Sequence, residues 1–182
     1  MSAVEHKVGI VLPPYRFTED DHFDAEREGF IKQINSFSQR GNHNEFGKYD
    51  FRDGLYGEIA FARWAGLERV VAEQGVLTDG GVDFIDVGVT IDVKATAARG
   101  TWPVGRAHLL RPRAYSLKAD VYVLLVLDDH RRRARFAGWA SRAELEAAPI
   151  RTQNDDGRPK VYVPTRCIPE RELHYDWRGW NG

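Results

Sequence analysis

The sequence predicts an α/β protein, with a central mixed β-sheet flanked by helices. Three observations carry this expectation. Two N-terminal segments space their apolar residues as helices do, an alternating hairpin follows them, and Val121 to Leu127 is continuously apolar. Helices before and after a mixed hairpin sheet stack into α/β layers. The 182 residues suit one hydrophobic core and are short for two. A single domain over 1–182 is therefore expected. Residues 1–50 form an N-terminal extension carrying a helix, 51–148 the core, and 149–182 a C-terminal strand and tail.

Val8 to Leu12 reads as a short strand stopped by Pro13-Pro14. Thr18 followed by Glu19, Asp20 and Asp21 marks a helix start, since an acidic first turn suits the helix dipole. Phe23, Phe30, Ile31, Ile34 and Phe37 carry that helix to about Ser38. Gln39 to Lys48 is polar and reads as a loop. A second helix is expected over Phe51 to Trp64, with Leu55, Ile59, Ala62 and Ala65 as its apolar stripe and Gly66 as its stop.

Short β-like runs come next, at Arg69 to Ala72, Val82 to Ile85 and Val87 to Val93. Asp86-Val87-Gly88 supplies the turn of a hairpin between the last two. Ala95 to Arg113 has no clear period. The run Asp120 to Leu127 is the strongest strand, and its unbroken apolar character argues for burial on both faces of a sheet. Asp128-Asp129-His130 is a turn, and Arg133 to Ala140 the returning strand. Ser141-Arg142-Ala143-Glu144 has the form of a capping box opening a short helix. Val161 to Val163 is a late short strand before a Trp-rich tail.

Composition excludes several function classes. No apolar run approaches the roughly 20 residues of a membrane span. The segment Met1 to Gly9 lacks the apolar core of a signal peptide, so an intracellular, cytoplasmic protein is expected. Cys167 is the single cysteine, which rules out an internal disulfide and a thiolate zinc cage. Any metal should then be a hard cation held by oxygen. The net charge of −1 conceals segregation. Ala95 to Ala119 contains no acid but carries Arg99, Arg106, Arg111, Arg113 and Lys118, and Arg131-Arg132-Arg133 with Arg135 follows. Such clustering can build a basic face for nucleic acid, or a solvated surface.

The chemistry concentrates at Ile91-Asp92-Val93-Lys94. Strand alternation points Val87, Val89, Ile91 and Val93 into the core and leaves Thr90, Asp92 and Lys94 on the opposite face. Asp83 enters across the hairpin. Two carboxylates joined by a sheet suit Mg²⁺, whose bound water is a nucleophile of lowered pKa. The Lys94 ammonium can orient that water or stabilise charge building on a phosphate. Glu58, from the second helix, would complete or support the metal shell. The bland alternative is a solvent-facing Asp92–Lys94 ion pair on an edge strand.

Gly57-Glu58-Ile59-Ala60, Val82-Asp83, the Ile91 to Thr96 strand and the Asp120 to Leu127 strand together resemble the PD-(D/E)XK nuclease superfamily, over about Gly54 to Ala140. The family's common proline before the first Asp is Val82 here, and no Gln-x-x-x-Tyr motif follows Lys94. The resemblance implies a restriction endonuclease-like core with 51–148 as its catalytic part. It further implies Asp83 and Asp92 as metal ligands, Lys94 as the catalytic lysine and Glu58 as the helix-borne acid. The expected activity is a Mg²⁺-dependent endonuclease acting on DNA, with Mn²⁺ as a substitute ion, in restriction, recombination or phage DNA processing. Pairing of two copies would suit cleavage of both strands, although no isologous patch is legible. A second reading is a nuclease fold with a silent site that binds nucleic acid or a protein.

Other motifs carry less. His43 in Gly41-Asn42-His43-Asn44 suggests an HNH metal site, but Asn and Gly there also suit a plain turn. Gly80-Gly81 lacks the Gly-Lys-Ser/Thr of a phosphate loop. The five tryptophans read mainly as packing residues, with Trp102 placed to contact a base.

Overall fold

A computed structural model describes residues 12–40, 50–70, 81–98, 109–110, 112, 117–128, 130–151 and 165–181. The elements run β1 (Tyr15–Arg16), α1 (Glu19–Arg40), α2 (Asp50–Ala65), β2 (Phe84–Asp86), β3 (Val89–Ala97), β4 (Leu109–Leu110), β5 (Val121–Leu127) and β6 (Arg133–Ser141). They continue with α3 (Arg142–Ala147), β7 (Ile150–Arg151), β8 (Thr165–Arg166) and β9 (Ile168–Pro169). Five strands make one mixed sheet in the order β1-β6-β5-β3-β2. Only β3 and β5 run parallel. The α/β class and the mixed sheet are as the sequence predicts. The expected strand at Val161 to Val163 and most of that at Val8 to Leu12 lie outside the described residues, as does His43.

Local chemistry explains where the elements start. Thr18 opens α1: its hydroxyl accepts the Asp21 N–H at 3.2 Å, while the Asp21 carboxylate accepts the Thr18 N–H at 2.8 Å. This reciprocal pair satisfies amides that the first turn leaves without helical partners. Ser141 and Glu144 repeat the device at α3, as expected. Between β2 and β3 the turn residues Val87 and Gly88 have φ of 49° and 84°. Positive φ at both central positions is the signature of a two-residue hairpin whose twist matches its strands.

One expectation about facing is corrected. Val87 is 87% exposed, because it sits in the turn and not at the start of the strand. On α1, Phe23 and Phe30 face solvent, 66% and 64% exposed. The helix instead buries Asp21, Ala25 and Gly29, one residue per turn. Those small residues let α1 lie close to α2, where a Cβ on Gly29 would meet Arg52 and Leu55 at 3.6 Å. In addition, Arg69 and Val70 belong to no strand.

Two apolar clusters cover the two faces of the sheet. Odd-numbered residues of β5 (Val121, Val123, Leu125, Leu127) join Ile91, Val93 and the α2 residues Leu55, Ile59 and Phe61. Even-numbered residues (Tyr122, Leu124, Val126) join Leu110, Leu145, Ile168 and Leu173. Every residue of β5 is therefore buried, as its composition predicts. The tail closes the first cluster. Trp177 and Trp180 pack against Phe61, and Asn181 donates to the Asp86 carboxylate at 3.1 Å.

Candidate functional site

β3 carries the centre of the candidate site. Its register with β5 pairs Asp92 with Tyr122 and Lys94 with Leu124. Asp92 and Lys94 thus share the face of the second cluster, while Val93 and Ala95 share the face covered by α2, as strand alternation predicts. Asp92 is 5% exposed and makes an ion pair with Lys94, whose side chain is 38% exposed. A carboxylate this buried needs a partner to retain its charge, and the neighbouring ammonium supplies one.

Asp83 reaches the same stretch from just before β2. Asp83 donates its N–H to the Ile91 carbonyl at 2.8 Å, while Phe84 is the register partner of Ile91. The ladder between β2 and β3 thus ends at Phe84 and Ile91, with Asp83 just beyond it. The Asp83 carboxylate accepts the Val93 N–H at 2.6 Å, taking the place of a strand partner. It is thereby held against the peptide that joins Asp92 to Val93, and it is 7% exposed.

Glu58 approaches from the other face. Gly57 packs so tightly on β3 that a Cβ there would lie 2.6 Å from the Ala95 Cβ. Glu58 follows it and binds Arg69 at 3.2 Å, and Arg69 also binds Glu28 of α1. Burial works against the Arg69 charge, but the Glu28 hydrogen bond and the charges of Glu28 and Glu58 outweigh it and hold the guanidinium protonated more firmly than usual. The next residue, Val70, donates its N–H to the Asp83 carbonyl at 2.7 Å. Glu58 and Asp83 are thus tied to adjacent residues of one segment.

The structure brings Asp83, Asp92 and Lys94 together at the hairpin and sets Glu58 behind Arg69. Among the described residues, no three His, Cys, Asp or Glu side chains form a group that could hold a metal ion. Of the basic residues expected to meet nucleic acid, Arg99, Arg106, Arg111 and Arg113 lie outside the described residues, as does Trp102. Lys118 is exposed. Its aliphatic stem lies beside Gly81, 3.8 Å from where a Cβ would be, just before Asp83.

Tyr122 is the residue sequence reasoning missed. Its hydroxyl accepts the Lys118 N–H at 2.8 Å and the Ala119 N–H at 3.3 Å, which anchors the turn before β5 next to Asp92. Burial, then the Asp92 charge, raises its phenol above the usual value. Arg142 and Asp120 were likewise unseen. Arg142 binds the Asp120 carboxylate at 3.0 Å, and that carboxylate accepts the Thr90 hydroxyl at 2.6 Å, which locks the start of β5 to β3. The only available signal for Tyr122 was a polar tip inside an apolar run.

Comparison with protein-family models finds no match for the chain, and comparison with curated proteins finds none. Among the described residues, no helix is long and apolar enough to cross a membrane.

Proposed function

We propose that the chain is a metal-dependent nuclease, a Mg²⁺-dependent endonuclease acting on DNA, built on a restriction endonuclease-like core. The observation that carries this reading is the Asp92–Lys94 pair on one face of β3 with the Asp83 carboxylate against the intervening backbone. The donor set fits the ion. Its atoms are all oxygen, and Mg²⁺ typically takes one or two carboxylates and fills its remaining positions with waters and substrate phosphate. A site in which no third acid converges among the described residues is therefore compatible with it.

Asp83 and Asp92 would hold the ion, with Glu58 in a supporting role and Mn²⁺ able to substitute. When bound, the ion supplies a water of lowered pKa and positive charge at the scissile phosphate. Lys94 would release Asp92 to the ion, then orient the attacking water or stabilise charge on the phosphate oxygens. Lys118 would hold a neighbouring phosphate. Two copies acting together would account for cutting both strands.

The test is cleavage of plasmid, single-stranded, branched and RNA substrates with Mg²⁺ or Mn²⁺. Cutting that disappears in Asp92→Ala and Lys94→Ala supports the reading, and no cutting across that panel defeats it. One observation favours a second reading, a silent nuclease-fold module that binds nucleic acid or a protein. Arg69 and Lys94 already neutralise Glu58 and Asp92. Calorimetric titration separates the two, because a silent module shows no divalent-ion binding that depends on Asp83 and Asp92.

A further inference from the structure

We propose that the β5–β6 turn and the adjoining β1 edge form a second, metal-independent contact for nucleic acid, in which Arg16 and Arg132 hold backbone phosphates. The choice of nucleic acid over another polyanion rests on the function proposed above. The contact itself rests on two exposed arginines, Arg16 and Arg132, that the fold brings to one end of the sheet without an ion pair among the described residues. Arg16 is the register partner of Arg133 across β1 and β6, and the Phe17 N–H binds the Arg132 carbonyl at 3.0 Å. Arg16 and Arg132 therefore lie at one end of the sheet, on β1 and just before β6.

Side chains tie the described residues of the turn to the fold. The buried Asp128 accepts the Arg132 N–H at 2.6 Å and the Arg133 Nε–H at 3.2 Å. Arg131 has a φ of 52°, uncommon for a residue other than glycine, and its guanidinium is tied to Asp53 of α2 at 2.6 Å. Two acids thus neutralise Arg131 and Arg133. Among the described residues, the exposed side chains of Arg16 and Arg132 make no ion pair. Arginine's planar fork matches phosphate oxygens, and its charge persists at any working pH.

The spacing suits a duplex. Asp92 pairs with Tyr122 and Ala97 with Leu127, so the turn lies at least five residues along the sheet from Asp92. That is roughly 16 Å at the strand rise of about 3.3 Å per residue. At about 3.4 Å per base pair, a duplex lying along the strands and touching Arg16 and Arg132 would pass Asp92 about five base pairs away.

The experiment measures binding of the full chain to a fluorescent DNA duplex in EDTA, over KCl from about 50 to about 300 mM. Replacing both residues (Arg16→Gln with Arg132→Gln) should flatten the slope of log K against log salt by about 1.8, from about 0.9 per phosphate contact. Arg16→Lys with Arg132→Lys should keep the wild-type slope, and Arg16→Gln should not lower the Tm. An unchanged slope in the glutamine pair overturns the proposal, and so does a chain that binds heparin but not duplex DNA. Cleavage is read separately. A chain that binds as expected and cuts nothing defeats only the nuclease reading, whereas a cutting chain with an unchanged slope defeats only this contact.

Discussion

The carboxylate of Asp83 accepts the backbone N–H of Val93 at 2.6 Å, just before β2, where that strand falls short of its partner. A side chain there does the work of a strand. The same contact brings one acidic group to the peptide that follows another, Asp92. Structure and proposed chemistry therefore draw on one residue, and substitutions can pull them apart.

Asp83→Ala leaves the Val93 amide without its acceptor in a buried place, which costs roughly 1–3 kcal/mol. Asp83→Asn retains an oxygen for that amide but loses the negative charge. The expected outcome is a lowered Tm for the alanine variant, a near-native Tm for the asparagine variant, and loss of divalent-ion binding in both. Thermal melts and calorimetry check it.

Asp92→Ala and Lys94→Ala should lower the cleavage rate by roughly a hundredfold or more, the scale for removing a group that meets charge in the transition state. Stability should also fall in the Lys94 variant, because the substitution removes the ammonium beside the buried Asp92 carboxylate, and breaking such a pair costs more than the about 0–1 kcal/mol of an exposed one. Single-turnover cleavage and circular dichroism together test this. Lost cleavage with an unfolded spectrum would leave the chemical role of Lys94 unsupported.

Gly57→Ala places a methyl 2.6 Å from the Ala95 Cβ, too close for either side to keep its position. Overpacking of this kind costs typically 1–3 kcal/mol. Ala95→Gly in the same chain should restore most of the loss. A denaturant melt of the single and double variants reads the coupling, and additive losses would refute the close approach of α2 to β3.

Alkaline pH should destabilise the fold. Burial and the Asp21 hydrogen bond raise the Tyr15 phenol from 10.0 to about 12, and burial foremost also raises Tyr56, Tyr122 and Tyr175. A group whose folded pKa is raised contributes stability that is complete below its unfolded pKa and disappears as pH climbs through the folded one. The Tm should therefore hold below about pH 10 and fall between about pH 10 and about pH 12. Tyr15→Phe should soften that fall, at the cost of the 2.7 Å hydrogen bond to Asp21. A Tm that is flat across the window contradicts the upward shift of these phenols.

Much of this was legible one residue at a time. The capping box at Ser141, the hairpin turn at Val87-Gly88, the buried strand from Val121 and the shared face of Asp92 and Lys94 all follow from local rules of period and φ. Those rules need only neighbours in the chain. What tertiary structure alone decided involves residues far apart in sequence. It turned Phe23 and Phe30 outward by packing α1 through Ala25 and Gly29, and it set β5 parallel to β3 so that Tyr122 stands beside Asp92. It also placed Arg69 between Glu28 and Glu58, and Arg16 opposite Arg133. Periodicity shows that an element has a face, but which face is buried, and what charge it meets there, depends on the surface it packs against. That surface exists only once the chain has folded.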